Sequence, residues 1–218
     1  MLLGRSRRPA SRDTSASPRV GLLRHGETEG GQRFRGHTDD PLTPAGLSQM
    51  YAAIAESGRW DRVISSPLLR CSEFSSAFAQ QRSLPLIFDI RLKEIHFGQW
   101  EGRSAAELMA EDPESLERFW RDPDIHPPPG GESLARFQAR VLDAWNNILS
   151  AYAGQRVLTV THGGVIRVLL CHVFEVPVSR WSEFEVPLGK LHSVHIGGGK
   201  ACLYRKRSDM RPSCFGPC

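Results

Sequence analysis

Short apolar, β-branched runs alternate with amphipathic stretches through most of this chain. Val20 to Leu23, Arg62 to Ser65, Leu86 to Asp89, Arg156 to Thr161, Ser193 to Ile196 and Cys202 to Tyr204 read as strands. Between them, Pro44 to Glu56, Leu68 to Gln81, Ser104 to Glu111, Glu132 to Ala151 and Val165 to Phe174 read as helices. In the fourth, Leu134, Phe137, Val141, Leu142, Trp145 and Leu149 recur at helical spacing, so one face is built for burial. Strands alternating with helices predict an α/β fold: one three-layer domain with a mostly parallel central sheet flanked by helices. Asp122 to Gly131, with prolines at 123, 127, 128 and 129, predicts a rigid loop at the rim of a cleft rather than a domain linker.

The 218 residues are enough for one substantial core. The formal net charge of +4 misleads, because it sits in the ends. Residues 1–19 carry +4 and residues 205–218 carry +3, so the span 20–204 holds −3. Both ends are expected to be basic tails around a single domain at 20–204, the first disordered. A mildly acidic domain argues against nucleic acid as a partner. The most apolar late stretch, Val165 to Val178, is interrupted by Arg167 and Glu175, which predicts a core helix and no membrane association. Five scattered cysteines without a Cys-x-x-Cys pair fit free thiols in a reducing cytoplasm. Oligomeric state is not legible in this pattern.

Chemistry concentrates where strands end. Val20 to Leu23 delivers Arg24 and His25 onto Gly26, so both side chains are expected at the strand's carboxyl end, the edge where open α/β sheets hold ligands. Val63 to Arg70 repeats the arrangement, with Pro67 near a helix start and Arg70 about one turn in. Val157 to Val165 repeats it again, ending in His162 and a Gly163-Gly164 turn that offers helix N-terminal amides. Glu94, set among apolar neighbours between Leu92 and Gly102, is the candidate proton donor, with Glu101 and Glu27 as alternatives. Two arginines and a histidine suit a phosphoryl dianion, whose oxygens gather charge during transfer. No carboxylate cluster that would bind a cation accompanies them, so neither metal nor cofactor is expected. His37, His96, His126, His172, His192 and His195 lack such a setting and are assigned no chemistry.

These motifs, in this order, resemble the histidine phosphatase superfamily, also called phosphoglycerate mutase-like. The likeness rests on Arg24-His25-Gly26-Glu27-Thr28, the 36–43 stretch ending in Pro41-Leu42-Thr43, Ser66-Pro67-Leu68-Leu69-Arg70, the Glu94 loop, Gly130-Gly131-Glu132-Ser133 and Thr161-His162-Gly163-Gly164. It implies that His25 is transiently phosphorylated, that Arg24, Arg70 and His162 bind the phosphoryl oxygens beside Thr28 and Gly163, and that Glu94 protonates the leaving oxygen. One departure stands out. The family usually has an asparagine six residues after the nucleophile, and here that position is Gly31. The hydrogen bond is missing or comes from elsewhere, with Thr28, Arg33 and a backbone amide as candidates.

Within the superfamily, the short chain and its Arg33-Phe34-Arg35-Gly36 segment resemble the α-ribazole-5'-phosphate phosphatase branch of cobalamin synthesis. A phosphoglycerate mutase and a general small-molecule or sugar phosphatase are the alternatives. Mutases generally carry a longer segment than the 35 residues between Glu94 and Gly130. A non-enzymatic phospho-ligand binder would be expected to have lost a catalytic histidine. Arg33, Arg35, Phe34, Phe97 and Trp100 are the candidate contacts to the rest of a small phosphomonoester.

Overall fold

The computed structural model describes residues 17–197 and 200–204. Six strands form one sheet in the order β3-β2-β4-β1-β5-β6. The strands are β1 (Arg19–Arg24), β2 (Arg62–Ser65), β3 (Leu86–Phe88), β4 (Arg156–Thr161), β5 (Leu191–Gly197) and β6 (Lys200–Tyr204). β1, β4, β2 and β3 run parallel, while β5 lies antiparallel to β1 and β6 antiparallel to β5. The expected single α/β domain with a mostly parallel sheet is therefore present. Of the tails expected at residues 1–19 and 205–218, residues 1–16 and 205–218 lie outside the described residues, and Arg19 opens β1.

Successive strand residues point to opposite faces, and two apolar layers result. Leu22, Ile64 and Val157 pack with α5 (Leu134–Ala151) and α6 (Gly163–Val173), whereas Leu23, Val63, Leu158 and Val160 pack with α1 (Pro44–Ile54) and α2 (Leu69–Arg82). In α5 the fully packed positions are Leu134, Phe137, Val141, Ala144, Trp145 and Ile148, and the anticipated Leu142 and Leu149 flank them. Ser133 caps this helix by accepting from the Arg136 amide, so it begins at Leu134 instead of the expected Glu132. α6 begins at Gly163, two residues before the anticipated Val165, with His162 as its N-cap.

One helix is absent from the sequence-level reading. Between α3 (Ala105–Glu111) and the proline-rich loop lies α4 (Pro113–Arg121), with Asp112 as side-chain cap and Pro113 in its first turn. Its Phe119 packs edge-on to Trp100 at 5.3 Å and Phe97 at 6.3 Å, which joins the 97–102 segment to the core. The proline-rich loop packs on that same segment: the Pro129 carbonyl accepts from the Gln99 amide at 2.9 Å and the His96 carbonyl accepts from the Glu132 amide at 2.8 Å.

Candidate active site

Strand register brings the two histidines together. Arg24 pairs with Thr161 across β1 and β4, so the next residues, His25 and His162, leave the sheet side by side. The His25 amide donates to the Thr161 carbonyl at 3.0 Å, and the two ring centroids lie 5.3 Å apart. Gly26 then permits a close turn, because a Cβ there would sit 2.0 Å from the Gly46 carbonyl oxygen at the start of α1. His25 Nδ1 lies 2.8 Å from the Gly26 carbonyl, which can only accept, so the proton sits on Nδ1 and the lone pair on Nε2. His162 has the opposite tautomer. Its Nδ1 accepts from Arg70 Nε at 3.2 Å, which leaves Nε2–H to donate to Ser66 Oγ at 2.7 Å.

Both rings are buried, and burial followed by the Arg70 charge drives each pKa well below the ordinary histidine value. Arg24 acts in the same direction on both. The unfolded chain therefore binds protons that the folded chain does not, over the window from the ordinary value of about 6.5 downward. Stability is fully present above that value and falls as the pH falls, by up to about 1.4 kcal/mol per pH unit for each ring. Chemical denaturation between pH 7 and 5 should show a shallower loss for His25→Gln than for the unsubstituted protein. Equal slopes would rule out a neutral His25 in the fold.

Two guanidinium groups face the histidines. Arg70 is 1 % exposed and donates to the carbonyls of Thr38 and Gly36, each at 2.7 Å, as well as to His162. Arg24 donates through Nη1 to the Val186 carbonyl, while its Nε is buried with no protein partner. Burial lowers the pKa of both, although a guanidinium stays charged at any ordinary pH. Gly163, at the head of α6, leaves room for this arginine: a Cβ there would lie 3.2 Å from the Arg24 Cζ. A buried, unpartnered donor beside a second buried cation is the setting an oxyanion satisfies.

Of the three candidate carboxylates, only Glu94 faces this group. Its Oε2 accepts from the Gly164 amide in the first turn of α6 and its Oε1 from the Ile95 amide, both at 3.0 Å, and its charge acts on Arg24 and Arg70. Glu101 is consumed by the neighbouring loop: its carboxylate accepts from the amides of His37 and Thr38, each at 2.8 Å, from Phe97 at 3.1 Å and from the Thr38 hydroxyl at 2.8 Å. Glu27 is exposed, 3.4 Å from the Thr43 hydroxyl.

Several expected substrate contacts lie elsewhere. Arg33 is turned to the loops, donating to the carbonyls of Gly30 at 2.9 Å and Gly102 at 2.6 Å. Arg35 pairs with Asp40 at 2.8 Å and donates to the carbonyls of Glu29 and Gly31, so it holds the 29–31 turn, although its charge still acts on His25. Trp100 is 5 % exposed and belongs to the core, with Phe34 and Phe97 half-buried against it, so Trp100 offers no open platform. Gly31 sits at φ +73° with nothing within 4 Å of a would-be Cβ. Thr28 is buried, and its backbone bridges Leu42. Cys71 lies 3.7 Å from His162 Nε2, but burial pushes its thiol up to about 12, so it stays protonated packing material. Among the described residues, no group of three or more His, Cys, Asp or Glu is placed to hold a metal ion, and no helix is long and apolar enough to cross a membrane.

A neutral imidazole with a free lone pair, two buried guanidiniums, a second imidazole and one carboxylate thus gather at the end of a parallel sheet. The chain belongs to the histidine phosphatase superfamily (branch 1), whose pattern matches residues 20–208. It is 38% identical over 157 residues to a bifunctional protein of Mycobacterium tuberculosis, a match covering 70% of this chain and 43% of that protein. It is 31% identical over 201 residues to the adenosylcobalamin/alpha-ribazole phosphatase of Salmonella typhimurium, covering 89% of this chain and 99% of that one. Among solved structures, a mycobacterial glucosyl-3-phosphoglycerate phosphatase in complex with inorganic phosphate superimposes with a TM-score of 0.75 at 25% identity, covering 86% of this chain and 95% of that one.

Proposed function

We propose that this protein is a metal-independent phosphomonoester hydrolase that works through a phosphohistidine at His25, with α-ribazole-5'-phosphate as its substrate in cobalamin synthesis. The observation that carries the reaction type is the His25 tautomer: Nδ1–H is held by the Gly26 carbonyl, and the Nε2 lone pair is left beside Arg24 and Arg70. In the first step Nε2 attacks phosphorus, the ester P–O bond breaks, and the departing oxygen takes the electron pair and a proton from Glu94. In the second, water attacks phosphorus, the N–P bond breaks, and Glu94 recovers a proton from the water, which leaves inorganic phosphate and neutral His25. Arg24 Nε and the Nη hydrogens that Arg70 does not give to carbonyls meet the charge on the non-bridging oxygens. Glu94 sits against the Gly164 amide, within the same cluster as the arginines.

The full-length likeness to the Salmonella phosphatase supports the substrate. Water as acceptor is supported by the 35 residues between Glu94 and Gly130, which are used by α3, α4 and a loop packed on the 96–99 segment and leave little chain to cover a mutase intermediate. A panel assay with an excess of chelator tests both. Release of inorganic phosphate from α-ribazole-5'-phosphate should proceed with a higher kcat/KM than from 3-phosphoglycerate or glucosyl-3-phosphoglycerate. Faster hydrolysis of the glucosyl ester would reassign the substrate. Interconversion of 2- and 3-phosphoglycerate without phosphate release, or activity lost to the chelator and restored by a divalent cation, would overturn the reaction proposed.

A further inference from the structure

The backbone that carries Glu94 is held by an arginine that no motif singled out. Arg140, two turns into α5, gives every one of its N–H donors to a single target region. Its Nη1 donates to the carbonyls of Arg91 and Lys93, both at 2.7 Å. Its Nη2 donates to the carbonyl of Glu94 at 2.9 Å and to Glu132 Oε2 at 2.8 Å, and its Nε donates to Glu132 Oε1 at 2.8 Å. A guanidinium has five such hydrogens, and this one uses all five. The group is also fixed from below, with Cζ 4.7 Å from the centroid of the Phe137 ring. Glu132, from the Gly130-Gly131-Glu132-Ser133 motif, completes the clamp by accepting from the His96 amide at 3.4 Å. His37 Nε2 reaches the same Glu94 carbonyl at 3.1 Å.

We infer that the Arg140–Glu132 pair is a positioning device for the proton donor: it pins the 91–94 backbone so that the Glu94 carboxyl stays against the head of α6. The inference rests on the reading of Glu94 as the acid. A planar fork with five directed donors is needed to hold three carbonyls and one carboxylate at once. An ammonium with three donors cannot do so. None of the Arg140 donors goes to Arg24, His25, Arg70 or His162, so loss of the pair should move the proton donor and leave the phosphoryl ligands in place.

The test is leaving-group dependence. Proton donation matters most when the leaving group is a poor one, so an alkyl phosphate reports Glu94 and p-nitrophenyl phosphate largely bypasses it. For Arg140→Gln, kcat on the alkyl phosphate should fall about 30-fold, the scale expected when a catalytic group is displaced by a fraction of an ångström to an ångström. On the aryl phosphate the loss should be about 3-fold or less, with KM unchanged on both and Arg140→Lys intermediate. Glu132→Gln keeps the carbonyl contacts of Arg140 and should shift the alkyl-to-aryl ratio about 3-fold, which gives a reading even where Arg140→Gln does not fold. Glu94→Gln is the reference. If it discriminates between the substrates and the Arg140 and Glu132 variants do not, the clamp is overturned while the acid stands. If Glu94→Gln itself loses equally on both substrates, Glu94 is not the acid and the inference falls with it.

Discussion

Replacing His25 by alanine should lower turnover of every phosphomonoester by at least about 10⁴-fold, the scale seen when the nucleophile of a covalent mechanism is removed. No second imidazole is poised to take over. His162 Nδ1 is occupied by Arg70, and its Nε2 carries a proton directed at Ser66, so neither nitrogen has a lone pair facing the pocket. Ser66 accepts from that proton and Cys71 stays a thiol, which leaves no other activated nucleophile beside Arg24 and Arg70 among the described residues. Rapid quenching of the unsubstituted protein during turnover of a labelled phosphomonoester should trap label that is stable to base and lost in acid. The same label should be absent from His25→Ala. Its persistence there would transfer the covalent chemistry to His162 and require that ring to flip its tautomer.

Much of this was legible from residue order, for a physical reason. Parallel strands place their carboxyl ends at one edge, so a histidine directly after β1 and another directly after β4 meet once those strands pair in register. Arg70 follows from the same rule, because Ser66 continues β2 by donating to the Val160 carbonyl at 2.9 Å and α2 begins three residues later. The direction of a loop side chain follows no such rule. Arg33 and Arg35 lie close to His25 in sequence, yet glycines at 30 and 31 with φ of +79° and +73° curl the chain so that its carbonyls face those guanidiniums. Trp100 is drawn inward by Phe119 of α4, a helix whose only fully buried side chains are Leu116 and Phe119 among charged neighbours. That pattern is too sparse to register as a period. The three carboxylates could be separated only by their partners: Glu101 binds three amides, whereas Glu94 touches the α6 amide next to the arginines. Arg140 lies 46 to 49 residues from the three carbonyls it holds, and nothing local to these positions links them.

Arg70→Met should separate catalysis from folding. Removing a preorganised donor to a developing oxyanion typically costs about 10² to 10³ in rate. Arg70 sits at the upper end of that range, because it also sets the tautomer of His162 and anchors the carbonyls of Gly36 and Thr38. For stability two effects oppose each other. The substitution leaves two carbonyls and an imidazole nitrogen without their donor, but it also removes a buried charge that burial and the nearby Arg35 destabilise and that repels Arg24. The net change without a ligand should stay within about 2 kcal/mol, since loss of hydrogen bonds and relief of a desolvated cation are of similar size. With an oxyanion bound the balance is one-sided. Vanadate should raise the Tm of the unsubstituted protein and leave that of Arg70→Met almost unmoved, because stabilisation by a ligand scales with its affinity for the folded state. Arg70→Lys should behave like Arg70→Met in the rate, since one ammonium cannot span Gly36, Thr38 and His162 together. A variant that keeps its vanadate-dependent Tm shift and loses less than about 10-fold in kcat/KM would move the oxyanion away from Arg70 and leave Arg24 as its main cationic ligand.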